Sequence, residues 1–218
     1  MSKLKVAELF YSLQGEGQYL GTPSVFLRVF GCNFQCAGFG MPRGELSRER
    51  LEINPDEYST YNSLPLVHTG CDSYASWDVR FKHLSPMMSI PTIVDKIQEL
   101  LPEGEFGPDK HLILTGGEPL LGWQRSYVDL FEEIQSRGMN LTNITFETNG
   151  TQILHQALVD YLNDSTITTT FSISSKLPSS GEKWEDAIKP DVVGDYLDQV
   201  AFCEAYFKWV VSDEQDYD

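Results

Sequence analysis

The sequence has no hydrophobic run long enough to cross a membrane, and its first residues lack the apolar stretch of a secretion signal. Basic residues are scarce: 16 Lys and Arg stand against 32 Asp and Glu, which gives a net charge of −16. A chain this acidic is poorly suited to direct contact with a nucleic acid backbone or an anionic membrane. We attribute the acidity to a solvated surface and expect a cytoplasmic location.

Cysteine is also scarce, and three of the four cysteines stand in motif-like surroundings. Cys32 and Cys36 lie in GCNFQC, and Cys71 begins CDSYASW. In a reducing compartment such thiols stay free to bind metal, and three of them suit an iron–sulfur cluster with one iron left open for chemistry. Two alternatives remain: buried thiols acting as small apolar side chains, or a structural zinc site that includes His68. Cys203 lies in an apolar run, and we expect it in the core.

The rest of the pattern predicts an α/β fold with a largely parallel sheet, because short apolar runs alternate with helical stripes. At 218 residues the chain fits one domain, residues 1–218. Predicted strands cover residues 6–11, 24–30, 111–115, 143–148, 168–174 and 206–211. Helical stripes begin near residues 90, 127 and 154. Residues 37–70 are charged and rich in Pro and Gly, which predicts a loop insertion with a short helix near residues 46–51.

Unusual motifs follow most of the predicted strands. QGEG follows the first, the Cys32–Cys36 pair the second, and GGEP (residues 116–119) the strand at His111. ETNG (residues 147–150) and Ser174-Ser175-Lys176 end the next two strands. Parallel α/β barrels gather their functional groups at the carboxyl ends of strands, so we expect all five motifs on one rim.

These motifs resemble the 7-carboxy-7-deazaguanine synthase family of radical S-adenosylmethionine enzymes. SLQGEG at residues 12–17 matches the opening signature of that family, and Cys71-Asp72-Ser73 matches its third cluster cysteine with the Asp and Thr or Ser that follow. Radical enzymes space their cysteines C-x3-C-x2-C, but Phe39 stands at the third position here. The segment 37–70 therefore reads as an insertion between the second and third cysteines. The resemblance implies a partial (β/α)6-type barrel.

The resemblance also implies how cofactors are bound. Cys32, Cys36 and Cys71 would bind three irons of a [4Fe–4S] cluster, and S-adenosylmethionine would chelate the fourth. Ser73 would bind Mg²⁺, although a Ser after an Asp is often only a turn residue. Glu118 has a helix-capping alternative, and Ser175 stands where the family commonly has Pro. The residues expected to contact S-adenosylmethionine are Gly70, Asp72, Gly116, Gly117, Glu118, Glu147, Asn149, Ser174, Ser175 and Lys176.

The implied substrate is 6-carboxy-5,6,7,8-tetrahydropterin. Arg28 would bind its carboxylate with the planar guanidinium fork, the alternative being a structural salt bridge. The other residues expected at the substrate are Leu13, Gln14, Gly15, Glu16 and Thr115. Family members continue beyond the Lys208–Val211 segment with another strand and a terminal segment that contacts cofactor and substrate. Here we expect either that this tail is missing from the sequence or that the last contacts come from elsewhere.

The implied reaction is radical hydrogen abstraction from C6, ring contraction and loss of ammonia, which gives 7-carboxy-7-deazaguanine. Catalysis would need no protein residue beyond those that hold cluster and cofactor. An electron donor such as flavodoxin and a homodimer are the expected partners, without direct contact to nucleic acid or membrane. The alternatives are another radical enzyme, such as a glycyl-radical activase, and a zinc-stabilised binding module.

Overall fold

The computed structural model of the chain describes residues 2–217, in which seven strands form one sheet. The strands are β1 (Lys3–Leu13), β2 (Pro23–Val29), β3 (Met87–Ser89), β4 (His111–Gly116), β5 (Asn143–Thr148), β6 (Thr168–Ile173) and β7 (Cys203–Phe207). Their spatial order is β3-β1-β2-β4-β5-β6-β7. From β2 to β7 all neighbours are parallel, while β1 is antiparallel to both β2 and β3. The predicted α/β fold with a mostly parallel sheet is confirmed.

Five α-helices occur among the described residues, and the longer ones cover one face of the sheet. They are α1 (Ile90–Leu100), α2 (Gln124–Ser136), α3 (Gln156–Asp164), α4 (Trp184–Ala187) and α5 (Pro190–Gln199). α1 begins where the Ser89 side chain accepts a hydrogen bond from the backbone N–H of Thr92, with Pro91 in its first turn. The three predicted helical stripes are confirmed as α1, α2 and α3. None of the helices within residues 2–217 is long and apolar enough to cross a membrane.

Side-chain alternation along the parallel strands separates a core face from a polar face. Leu27, Leu114 and Phe146 point into the main hydrophobic core that the helices cover. Arg28, Thr115 and Glu147 are their chain neighbours, so they lie on the opposite face. Arg28 and Thr115 are also paired in the sheet register. The sheet thus presents a polar surface on the side that the helices leave free.

The insertion at residues 37–70 is more structured than the predicted loop. It contains short 3-10 helices at Glu49–Glu52, Pro55–Glu57 and Tyr61–Ser63, the first of them close to the helix predicted near residues 46–51. Its apolar side chains pack on a small second core around Tyr74 and Phe81, which lies apart from the main core. The described insertion is therefore a folded part of the molecule. Its description as an insertion within one domain remains a prediction.

Candidate functional site

A cavity of about 550 Å³ opens at the carboxyl ends of the parallel strands. The ends of β2, β4, β5 and β6 border it, and residues 67–77 close another side. Most of the predicted site residues line this cavity: Glu16, Arg28, Cys32, Cys36, Gly70, Cys71, Asp72, Ser73, Thr115, Gly116, Gly117, Glu147, Asn149, Ser174 and Lys176. The strand-end rule therefore predicted most of this lining, whereas of the QGEG motif only Glu16 reaches the cavity.

The three motif cysteines lie together at this cavity, although Cys71 is distant in sequence from Cys32 and Cys36. Cys36 is buried, and Cys32 and Cys71 pack against the same small cluster. Cys36 has a left-handed backbone with φ 48°, an unusual conformation for a residue other than Gly. The Glu182 carboxylate holds this turn, because it accepts hydrogen bonds from the backbone N–H groups of Gln35 (2.8 Å) and Cys36 (2.7 Å).

Burial makes the thiolate form of these cysteines costly. It raises the pKa of Cys32 to about 12 and also raises the pKa of Cys36 and Cys71. Cys71 also raises the pKa of Cys32 and Cys36, and the Lys176 ammonium lowers the pKa of all three thiols. Metal binding requires thiolates, so metal binding and proton release would be linked here.

The donor set fits a [4Fe–4S] cluster. Three thiols face one cavity with room for a cluster, and the indole N–H of Trp77 is a further donor beside them. That N–H lowers the pKa of Cys71, yet it has no partner at hydrogen-bond distance within residues 2–217. In the same range no three His, Cys, Asp or Glu side chains are grouped to hold one metal ion. A cluster does not require such a group, because each cysteine binds a different iron.

The two glycines of GGEP border the cavity, and close packing within the chain explains why both positions are glycine. A Cβ on Gly116 would lie 2.3 Å from the Val29 carbonyl oxygen, and one on Gly117 would lie 2.4 Å from that of Gly31. The Gly117 Cβ would also meet Cys32 Cβ at 2.6 Å. These glycines are needed because the end of β4 packs directly on the loop that carries Cys32. Contact with a cofactor is not required to explain them.

The position of Glu118 does not fit the predicted direct contact with the cofactor. It is fully buried and does not border the cavity. One carboxylate oxygen accepts from Leu120 N (3.0 Å) and Thr148 Oγ1 (2.8 Å), and the other accepts from Asn149 N (2.7 Å). Burial raises its pKa, and these hydrogen bonds oppose the rise. The contacts favour a positioning role, because Glu118 joins the loop after β4 to the loop after β5.

Arg28 makes a structural salt bridge and also lines the cavity. Its Nε donates to Glu8 Oε2 at 3.0 Å, which is the salt bridge given as the alternative. Its Nη1 donates to Ser73 Oγ (3.3 Å) and to the Gly116 carbonyl (3.4 Å), and the side chain still lines the cavity. Ser73 in turn donates to Asp72 Oδ1 at 3.1 Å. Arg28 thus joins β1, β4 and the third cysteine motif.

QGEG does not lie on the rim where it was predicted, and that prediction is wrong. β1 runs antiparallel to β2, so its end lies beside the start of β2. The hairpin at residues 14–22 crosses the polar face instead, where Gln14 Nε2 donates to Glu147 Oε1 at 3.0 Å. Leu13, Gln14, Gly15 and Glu16 border a smaller cavity of about 430 Å³, which shares Glu16, Arg28 and Glu147 with the main one.

The motif after β6 is arranged by its own lysine. Lys176 Nζ donates to the Ser174 carbonyl (2.7 Å) and to Ser174 Oγ (2.9 Å). Ser175 is buried and is absent from the cavity lining.

Asn149 on the adjacent strand end donates to Asn33 Oδ1 at 2.9 Å, so it holds the loop between the first two cysteines. Cys203 lies away from the cavity and packs against the main core, as predicted.

The sequence patterns missed Lys208, which lines the cavity together with Trp209 and Val210. Its ammonium contacts Glu16 and lies 3.8 Å from Glu147 Oε1. The predicted last strand, residues 206–211, placed Lys208 inside a strand. β7 ends at Phe207, so Lys208 follows a strand end like the other site residues.

Comparisons with known proteins agree with the motifs. No family model matches the chain. The protein named 7-carboxy-7-deazaguanine synthase from Methanopyrus kandleri is 31% identical over 214 residues, covering 98% of this chain and 72% of the relative. The protein of the same name from Halobacterium salinarum is 33% identical over 189 residues, covering 86% of this chain and 51% of the relative.

A solved structure shows the same fold. The crystal structure of QueE from Escherichia coli matches with a TM-score of 0.52 and covers 99% of this chain and 74% of that chain. At 19% sequence identity this likeness bears on the fold alone.

Proposed function

The chain belongs to the 7-carboxy-7-deazaguanine synthase family of radical S-adenosylmethionine enzymes, and we propose that its strand-end cavity converts 6-carboxy-5,6,7,8-tetrahydropterin to 7-carboxy-7-deazaguanine with loss of ammonia. The observation that carries the proposal is the meeting of Cys32, Cys36 and Cys71 with Arg28 and Thr115 at one cavity. Family membership sets aside the activase and the zinc module, which would not need this combination of residues.

The cysteines would hold the [4Fe–4S] cluster, and the ends of β4, β5 and β6 would hold S-adenosylmethionine. When bound, cluster and cofactor supply the radical chemistry. The chain's own part is to orient both groups and keep water away from them. Asn149 and Lys176 line this part of the cavity and are suited to hydrogen bonds with polar groups of the cofactor.

The pterin would lie between the hairpin and Arg28. Arg28 would bind the substrate carboxylate, and the hairpin residues Leu13 to Glu16 would contact the ring from the polar face of the sheet. Thr115 is paired with Arg28 in the register and would contact the same substrate. Ser73 would bind Mg²⁺ together with oxygens from substrate and water, since Mg²⁺ prefers oxygen ligands.

We further propose a single domain in which residues 37–70 are an insertion, a flavodoxin-type electron donor, a homodimer and a cytoplasmic location. The cluster needs an electron to act, which supports a small redox partner. Analytical ultracentrifugation of the anaerobic holoenzyme tests the dimer.

Anaerobic turnover tests the function. The holoenzyme is incubated with the carboxypterin, S-adenosylmethionine, Mg²⁺ and dithionite, and the product is identified by mass spectrometry. We expect 7-carboxy-7-deazaguanine, and none when S-adenosylmethionine is omitted or when Cys36→Ala replaces wild type. A fully loaded enzyme that cleaves S-adenosylmethionine but leaves the carboxypterin unchanged would refute the proposal.

A further inference from the structure

A cavity of about 450 Å³ lies between Arg28 and the insertion, next to the main cavity. Glu8, Arg28, Asp72 and Ser73 form one side, and insertion residues 61–66 form the other. Arg28, Asp72 and Ser73 line this cavity and the main one alike, so the two are continuous at these residues. The volume is within the range of roughly 300–1,000 Å³ that is usual for small-molecule pockets. The insertion is therefore part of the surroundings of the carboxylate-binding Arg28.

The insertion side of this cavity is held by hydrogen bonds to residues that follow Cys71 and by one hydrogen bond within the insertion. Tyr74 donates its hydroxyl to the Pro65 carbonyl at 2.9 Å. Arg80 donates to the Arg50 carbonyl at 2.9 Å, and Glu49 accepts from the backbone N–H of Thr69 at 2.8 Å. Tyr61 itself packs against the second core. A segment fixed by several hydrogen bonds and by packing can hold a side chain such as Tyr61 in one position toward a ligand.

Tyr61 brings a phenol from this wall to the cavity that Arg28 also lines. The charge of Arg28 lowers the pKa of the Tyr61 phenol, while Glu8, Cys71 and Asp72 act on it in the opposite direction. Burial has the largest effect, and the pKa rises to about 12. The phenol is therefore neutral and able to donate a hydrogen bond at neutral pH. Arg28, Asp72 and Ser73 line the same cavity as this phenol.

Arg28 does not offer its complete fork to a ligand in this arrangement. Nε is occupied by Glu8, and Nη1 is shared between Ser73 and the Gly116 carbonyl. A carboxylate has two oxygens that can accept about four hydrogen bonds. A substrate carboxylate at Arg28 thus has room for a second donor. The Glu8 carboxylate lines the same cavity and repels an incoming anion. A neutral hydrogen-bond donor would offset part of that repulsion.

We propose that the insertion forms a wall of the substrate site and that the Tyr61 hydroxyl donates a hydrogen bond to the substrate carboxylate bound at Arg28. This inference rests on the proposed function and assigns a role to the insertion in it. Tyr61 is a substrate-binding residue, and the insertion is a determinant of selectivity for carboxylated pterins.

Binding measurements on Tyr61→Phe test the inference, because this change removes only the hydroxyl. The anaerobic holoenzyme with S-adenosylmethionine but without reductant is titrated with the carboxypterin by calorimetry, so that no turnover occurs. A lost hydrogen bond to a charged group predicts a Kd raised by about 10-fold. Tyr58→Phe is the matched control, since Tyr58 belongs to the same insertion and second core but lines neither cavity. Its Kd should equal that of wild type.

A second ligand identifies the substrate group involved. 5,6,7,8-Tetrahydropterin lacks the carboxylate, and its Kd should change less than about 2-fold in Tyr61→Phe if the hydroxyl acts on that group. An unchanged Kd for the carboxypterin, or an equal loss for both ligands, would overturn the inference. Turnover of wild type is measured in parallel. If wild type turns over the carboxypterin and Tyr61→Phe binds it with an unchanged Kd, the inference is refuted and the proposed function stands. If wild type shows no turnover, the proposed function is refuted.

Discussion

At the scale of single residues, several groups at the candidate site are held by partners that are distant in sequence. Glu182 holds the turn of Cys36, Asn149 holds Asn33 between the first two cysteines, and Arg28 reaches Ser73 from β2. Such partners orient groups that would otherwise turn freely, which matters because small displacements at a site cost much of its activity.

Replacing the cysteines tests the cluster assignment. Cys32→Ala, Cys36→Ala and Cys71→Ala should each lose nearly all bound iron and sulfide, because each thiol would bind a different iron. Cys203→Ala is the matched control, since Cys203 lies on β7 against the main core. Iron and sulfide analysis after anaerobic reconstitution measures this. Full cluster content in Cys71→Ala would show that another ligand completes the site and that residues 37–70 do not separate two ligands.

Arg28→Lys should raise the KM for the carboxypterin by about 10-fold, because Lys keeps the charge but loses the planar donors. Steady-state kinetics with varied carboxypterin measures the change. S-adenosylmethionine cleavage without substrate should stay close to wild type, which separates a binding defect from a general one. If KM does not change, Arg28 is only the structural partner of Glu8.

Ser73→Ala should weaken the dependence of turnover on Mg²⁺ and leave cluster content unchanged. A single hydroxyl binds Mg²⁺ weakly, so the ion should be bound mainly when substrate oxygens complete its shell. Titration of Mg²⁺ against turnover, at saturating and at limiting carboxypterin concentrations, measures this. Ser73→Thr keeps the hydroxyl and serves as the control. Identical titration curves for wild type and Ser73→Ala would remove Ser73 from the metal site.

At the scale of elements, the second core makes the insertion a folded unit rather than a flexible loop. Arg80 is its main clamp, because the guanidinium donates to the carbonyls of Arg50 (2.9 Å) and Ile53 (3.4 Å) and to Asp78 (2.8 Å). Arg50 in turn packs over the Trp77 ring. Arg80 connects the insertion to the segment that follows Cys71. A displacement of the insertion would therefore also displace this segment.

Arg80→Ala should loosen the insertion while the sheet stays folded. Carbonyls now bonded to Arg80 would lose their charged donor, at a cost of roughly 1–3 kcal/mol. Limited proteolysis within residues 49–66 should speed up by about 10-fold, since cleavage follows the population of the opened state. Lys82→Ala removes an exposed positive charge from the same 3-10 helix and is the control. Equal cleavage rates in the two variants would contradict the clamp.

At the scale of the whole molecule, the hairpin at residues 14–22 connects the two ends of the sheet. It starts from β1, and its Gln18 and Tyr19 side chains bond to Glu204 on the edge strand β7. Lys208, just after β7, contacts Glu16 in the same hairpin. These contacts bridge the open side of a sheet whose first and last strands are not paired with each other. They favour cooperative folding of the chain.

Scanning calorimetry of the apoprotein tests this cooperativity. We expect a single transition in which the calorimetric and van't Hoff enthalpies agree, because hairpin and insertion are both joined to the main fold. Tryptophan fluorescence recorded during heating should follow the same curve. A separate transition at lower temperature would show that the insertion or the hairpin unfolds independently and that the single-domain description is wrong.

Local patterns in the sequence determined the elements and much of the site. The alternation of apolar runs and helical stripes predicted β2, β4, β5 and β6 and the helices α1 to α3. Position at strand ends predicted that Cys32, Thr115, Glu147 and Lys176 lie close together. The physical reason is that periodicity and strand direction are properties of short segments. Parallel strands then bring their carboxyl ends to one edge without further information.

Only the tertiary structure decided which distant side chains meet. It placed the hairpin across the polar face, buried Glu118 as a link between two loops, brought Lys208 into the main cavity and placed Tyr61 at a cavity that Arg28 also lines. No short segment encodes these contacts, because each depends on strand pairing and packing over the whole chain. The antiparallel pairing of β1 with β2 is the clearest case, because it places the QGEG hairpin across the polar face of the sheet.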